Sequence, residues 1–228
     1  MSFHPLSRVA IATALFAALA QTANADTTLN FDSLTAGSAA NSDPAALAAG
    51  ISFDNAYYGA PVDANGNGIV DGNGDLITTQ AWRVDPTVSS PVAVANTQAQ
   101  GWGTAPSSPN ALDATQSAIL LHFAAPQDVS GFSFTLPDST YGTLGSSEVD
   151  FLDATGQQLG AIIFTEGTPL ALISLGGGPI LGVKDVVLAS GTYYDNITIT
   201  AVPVPAALPL MLSSMAGLFA FSRRRKTA

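Results

Sequence analysis

The chain has 228 residues, with 17 Asp and Glu against seven Lys and Arg, no cysteine, and a formal net charge of −10. One cation is Arg8, four stand at positions 223–226, and only Arg83 and Lys184 lie between, so residues 26–201 carry a formal −15. That distribution excludes nucleic-acid binding, because no cationic surface exists to displace counterions from phosphates, and the missing thiols leave any exported fold to be held by its core alone.

Residues 1–25 begin with a short segment bearing Arg8, continue in the apolar run from Val9 to Ala20, and end on Ala23-Asn24-Ala25, a small-x-small cleavage pattern at Ala23 and Ala25. This order predicts a signal peptide, export, and a mature chain starting at Asp26. Residues 26–201 then have the length of one domain. Short β-prone runs recur there between Gly, Pro, Asn, Asp and Ser: 27–32, 51–58, 81–84, 91–95, 118–123, 129–136, 147–152, 158–165, 170–175, 183–189 and 194–200. The spacing predicts an all-β fold, an antiparallel β-sandwich or barrel. Phe132, Phe134 and Leu136 share one face while Ser133 and Thr135 take the other, and Ile197 and Ile199 alternate with Thr198 and Thr200 in the same way. Ala45 to Ala49 reads as one helical turn after Asp43-Pro44, residues 98–117 as a long loop, and residues 153–157 as a hairpin turn with Gly156 at positive φ. No internal repeat is evident.

Among candidate sites, the stretch from Asp63 to Asp75 is the sharpest. Asp63, Asn65, Asn67 and Asp71 around Gly68 match the front of a Ca²⁺ loop, with Asp75 one residue late for its closing ligand. A flexible Asn/Gly/Asp hairpin without an ion is the alternative. Trp102, between Gly101 and Gly103 in the long loop, is a candidate to stack on a sugar ring, whereas Trp82, beside Arg83 in a strand, is expected to be half-buried. His122 is the one histidine of the body, which excludes multi-His metal sites and Cys–His nucleophiles, and no Gly-x-Ser-x-Gly elbow is present. Asp150 and Asp153 are a possible carboxylate pair, yet Asp is so abundant that a pair carries no information by itself. The body therefore reads as non-enzymatic, with a polysaccharide hydrolase or lyase as the less favoured reading.

Residues 202–228 are the sequence's most distinctive part. A hook, Val202-Pro203-Val204-Pro205, leads into the apolar stretch from Ala206 to Ser222, whose 17 residues make about 25 Å of helix against a hydrocarbon core of about 30 Å. Arg223, Arg224, Arg225 and Lys226 follow as a stop-transfer block, retained on the cytoplasmic side. Hook, Gly-containing apolar helix and basic cap in this order resemble the PEP-CTERM sorting tail of Gram-negative bacteria, in its VPLPA form, with Val204 where the main pattern has an acidic residue. The resemblance implies transient anchoring in the inner membrane, recognition by an exosortase-type membrane protease, and delivery to the cell surface or its polysaccharide matrix.

Within the body, Gly50-Ile51-Ser52-Phe53-Asp54-Asn55, Val129-Ser130-Gly131-Phe132-Ser133-Phe134, Val149-Asp150-Phe151-Leu152-Asp153-Ala154-Thr155-Gly156 and Tyr194-Asp195-Asn196-Ile197-Thr198-Ile199 resemble the jelly-roll domains that often precede such tails. Those domains are similar to lectin-like sandwiches. The resemblance implies first and last strands side by side, sharing Ca²⁺ at Asp32 and Asp195 with Asn196 or Asp54 nearby. Capping of backbone N–H groups by the same side chains is the alternative. The expected function is an exported, surface-sorted, non-enzymatic envelope or exopolysaccharide-matrix protein that binds Ca²⁺, or alternatively a Ca²⁺-dependent carbohydrate-binding lectin or adhesin.

Overall fold

The computed structural model describes residues 26–101, 105–107, 109–137, 146–165, 172–175 and 177–202. The predicted signal peptide, with Ala23 and Ala25, and the sorting tail beyond Val202 lie outside these residues, as does Trp102. Strands are β1 (Thr27–Leu29), β2 (Ile51–Gly59), β3 (Ala81–Val84), β4 (Val94–Asn96), β5 (Asn110–Asp113) and β6 (Ala118–Thr135), then β7 (Ser146–Leu152), β8 (Gln158–Thr165), β9 (Leu172–Ser174), β10 (Ile180–Leu188) and β11 (Tyr193–Ala201). All of the strand pairs are antiparallel. The expected antiparallel all-β body is what forms.

The short helix α1 (Pro44–Ala49) shows how local chemistry sets an element. Asp43 accepts the N–H groups of Ala45 and Ala46 at 3.0 and 2.9 Å, Pro44 occupies the first turn where no N–H is needed, and Gly50 closes the helix at φ 66°. Ala46 is thereby set into the core.

β6 organises everything else. Its first half, from Ala118 to Phe123, pairs with β2 on one side and β10 on the other. Its second half, through Thr135, pairs with β11 and β9. The runs at 118–123 and 129–136 that read as two strands are thus one strand of 18 residues. Pro126, which cannot donate to a ladder, sits where the strand exchanges neighbours, and the facing register of β10 slips on both sides of Val183. Two ladders result: β3-β2-β6-β10-β7-β8, and β4-β5-β11-β6-β9 with β1 also on β11.

Alternate residues of both ladders enter one core. Phe53, Leu121 and Phe151 come from the first ladder, and Phe132, Phe134 and Tyr194 from the second. Rings meet edge to face across them: Phe132 with Phe151 and Phe134 with Phe164, each at 5.2 Å between centroids, and Phe164 with Tyr194 at 6.4 Å. The phenol of Tyr194 donates to the Ala189 carbonyl at 2.9 Å, so its buried oxygen is satisfied.

One strand falls inside the predicted long loop. Asn110–Asp113 has no β-branched residue, but Leu112 is paired between Val94 of β4 and Tyr194 of β11, and these neighbours impose the extended backbone.

Candidate functional site

β2 leaves its ladder halfway along. From Ile51 to Ala56 it pairs with β6, and from Ala56 to Gly59 with β3. In pairing order three strands, β2, β6 and β10, separate β3 from β7. Yet the Trp82 indole N–H on β3 donates to Asp150 Oδ2 on β7 at 2.8 Å. The β2–β3 hairpin must therefore curl over the ladder's outer face. Space for the indole comes from small side chains, since Trp82 packs on Ala56 and Ala118 together with Leu120, Leu152 and Val187.

Between this hairpin and the β7–β8 turn lies a cleft of about 470 Å³. Tyr58, Gln80, Trp82, Glu148, Asp150 and Gln158 line it. The Tyr58 ring stands edge to face against Trp82, 5.5 Å between centroids, and is 62% exposed. Asp150 is only 4% exposed and both its oxygens are engaged, Oδ2 by the indole and Oδ1 by the Gln158 amide at 2.6 Å. It is a brace that fixes the indole plane. Glu148, on the same face of β7, stands exposed at the rim. Gly156 (φ 80°) makes the turn that closes the other wall, within 4 Å of the Trp82 carbonyl were a Cβ added. Such a site can stack a flat ring and exchange hydrogen bonds with hydroxyls around it.

The two carboxylates considered as a pair, Asp150 and Asp153, serve separate partners. Asp150 holds Trp82, while Asp153 caps its own turn, accepting from Thr155 N–H and Oγ–H at 2.7 Å each and from Gln157 N–H at 3.0 Å. Those bonds, the Thr155 hydroxyl first, keep the Asp153 carboxyl below the usual range.

Elsewhere in the body, β1 pairs with β11 through Thr27 and Ile199, so the first and last strands do lie side by side. Asp195 is fully buried, accepting the Ser107 N–H at 3.0 Å and the Ser107 hydroxyl at 2.8 and 3.0 Å. The same hydroxyl lies 3.2 Å from Asp32 Oδ1 and 3.5 Å from the Asn30 carbonyl. Phe31 (φ 56°) and Asn196 (φ 48°), the non-glycine residues at positive φ among those described, each adjoin one of the two carboxylates. Burial raises the Asp195 carboxyl above its ordinary range, opposed by the Ser107 and Asn196 bonds, and Asp32 adds to the rise. Asp54 is engaged elsewhere, by His122.

His122 lies on the outer face of the first ladder, with Nδ1 2.6 Å from Asp185 Oδ1 and Nε2 3.2 Å from Asp54 Oδ2. Carboxylates occupy both ring nitrogens, which leaves none to activate a serine.

The stretch from Asp63 to Asp75 forms two copies of one turn. Asp63 Oδ1 accepts the N–H groups of Asn65 and Asn67 at 2.8 and 2.9 Å, and Asp71 Oδ1 those of Asn73 and Asp75 at 2.8 and 3.1 Å. The copies are linked by Ile69 N–H to the Pro61 carbonyl (3.0 Å) and Ile77 N–H to the Ile69 carbonyl (2.9 Å), an eight-residue step that the reading without a repeat overlooked. Bonds from the turn, Asn67 N–H first for Asp63 and Asn73 N–H first for Asp71, hold both carboxyls below the usual range. Among the described residues no group of three or more His, Cys, Asp or Glu side chains gathers around a common point.

Trp102, which the sequence put forward as the ligand residue, lies outside the described residues, and Trp82 is the tryptophan seen to line the cleft. The available signal was faint: Tyr58 and Trp82 in neighbouring strands, with alanines at 56 and 118. The hook begins where the sheet ends, Val202 N–H donating to the Asp128 carbonyl at 2.7 Å. Pro203, Val204, Pro205 and Arg223 to Lys226 fall outside the described residues. No family model matches the chain, and no curated protein matches it either.

Proposed function

We propose that this chain is an exported, surface-sorted, non-enzymatic component of the cell envelope or an exopolysaccharide matrix, and that its body is a jelly-roll-like sandwich that binds carbohydrate in the Trp82 cleft. The single observation that carries the binding role is the cleft itself, in which a braced indole and an exposed phenol meet carboxylate and amide groups. The edge-to-face rings between the two ladders support the sandwich. Sorting rests on the hook, apolar stretch and cation block of residues 202–228, with an exosortase-type protease as the processing partner. Trp82→Ala is expected to weaken glycan binding by at least about tenfold, since the loss of one aromatic anchor commonly exceeds 1.4 kcal/mol. A glycan array left blank by the unsubstituted protein, with Ca²⁺ and without, removes the binding role. Neutral residues at positions 223–226 should let the tail slip through the inner membrane, and unchanged retention and processing would count against the sorting reading.

Ca²⁺ belongs to the same proposal, at Asp32 and Asp195. Hard oxygens suit this ion, and Asp32 Oδ1, the Asp195 carboxylate and the Asn30 carbonyl gather around the Ser107 hydroxyl. An ion bound at Asp32 and Asp195 would neutralise a buried carboxylate and raise the melting temperature by mass action. A difference below about one degree between millimolar Ca²⁺ and chelator would dispose of it.

A further inference from the structure

The Trp82 cleft is chemically one-sided. Its lining offers rings, amides and two carboxylates, Glu148 and Asp150, and includes no Lys, Arg or His among the described residues. The body's two cations are committed elsewhere. Arg83, next to Trp82 in sequence but on the opposite face of β3, donates to the Gly59 and Thr79 carbonyls at 3.3 and 3.4 Å. Lys184 donates to the Phe123 and Ala124 carbonyls. Nothing inside the cleft would compensate a negative charge brought into it.

Resting on the carbohydrate reading above, we propose that the cleft selects glycans without negative charge and that Glu148 is the residue that sets this selectivity. An uncharged sugar can lay a C–H face on the indole, donate hydroxyls to Glu148, and trade hydrogen bonds with Gln80 and Gln158, whose amides both donate and accept. Asp150 adds charge but little accessible acceptor surface, because it is 4% exposed and each of its oxygens already faces a protein donor. A uronate or sulfate in the same place would sit within one Debye length of two carboxylates, about 8 Å at physiological salt, with no cation beside it. Like charge at a recognition site suppresses the wrong ligand more than it strengthens the right one.

The test uses the full chain in detergent micelles on a glycan array divided into uncharged and anionic sets, the latter holding uronates, sialosides and sulfated sugars. Signals confined to the uncharged set are expected, at least about tenfold above the anionic set, with the difference shrinking as salt is added. Glu148→Gln, its fold checked by an unchanged melting temperature, should bring up anionic signals at low salt. An anionic set that binds the unsubstituted protein as well as the uncharged set overturns the inference and leaves the carbohydrate reading standing. A selectivity that Glu148→Gln does not move overturns the role of Glu148. A blank array removes both the reading and the inference.

Discussion

The ladder β3-β2-β6-β10-β7-β8 has two faces made by the same strands, and they are built on opposite terms. Its inner face is apolar and crowded: Phe53, Leu121, Phe123 and Phe151 are each no more than 1% exposed, and rings interlock across the core. Its outer face carries only a smaller apolar cluster, Ala56, Ala118, Leu120, Leu152 and Val187 beneath Trp82, and sets polar pairings beside it, with His122 held between Asp54 and Asp185 and Trp82 braced by Asp150. Stability is concentrated on the first face because burial rewards area without regard to direction. Recognition is concentrated on the second because hydrogen bonds fix orientation while leaving surface accessible.

Substituting one residue on each face sharpens this contrast. Phe151→Ala should destabilise the fold by about 3–5 kcal/mol, read as a fall in the denaturant midpoint, since it empties a packed aromatic site. His122→Leu should lose only about 1 kcal/mol, because Asp54 is half exposed and solvent screens its share of the clamp. If the two variants lose equal stability, the division between faces is wrong.

The smallest expected effect is a slope. Asp195, with its folded value raised by burial, detracts from stability while ionised, and that loss is recovered as pH falls through the folded value, fully so below the unfolded value of about 3.9. Asp63, Asp71 and Asp153 run the other way, since their depressed folded values give stability that is present above the unfolded value and is lost as pH falls through the folded one. Replacing Asp195 by Asn should therefore make the acid limb of the melting curve fall more steeply than in the unsubstituted protein. Superimposable limbs would mean that Asp195 is not the buried ionisable group described here.

Particular residues show how far the sequence could be read. Alternation placed Phe132, Phe134, Ile197 and Ile199 inward, and the turn at Asp153 to Gln157 declared itself through Asp and Gly at fixed offsets, because both are signals within a few residues. A likeness to jelly-roll domains led to the expectation of a Ca²⁺ shared by Asp32 and Asp195, and what bonds both carboxylates is Ser107, from a segment read as loop. The cleft was not anticipated at all: Tyr58, Trp82, Asp150 and Gln158 span 100 residues, and no local period connects them.

Taken alone, the sequence determined an acidic, cysteine-free, antiparallel β body, because charge inventory, turn chemistry and the two-residue period act over short range. Tertiary structure alone decided that β6 would serve two sets of neighbours, that Asn110–Asp113 would become a strand, and that Trp82 would reach Asp150 across three strands. Those outcomes depend on which surfaces meet once the core closes, and a chain's local preferences do not contain that information.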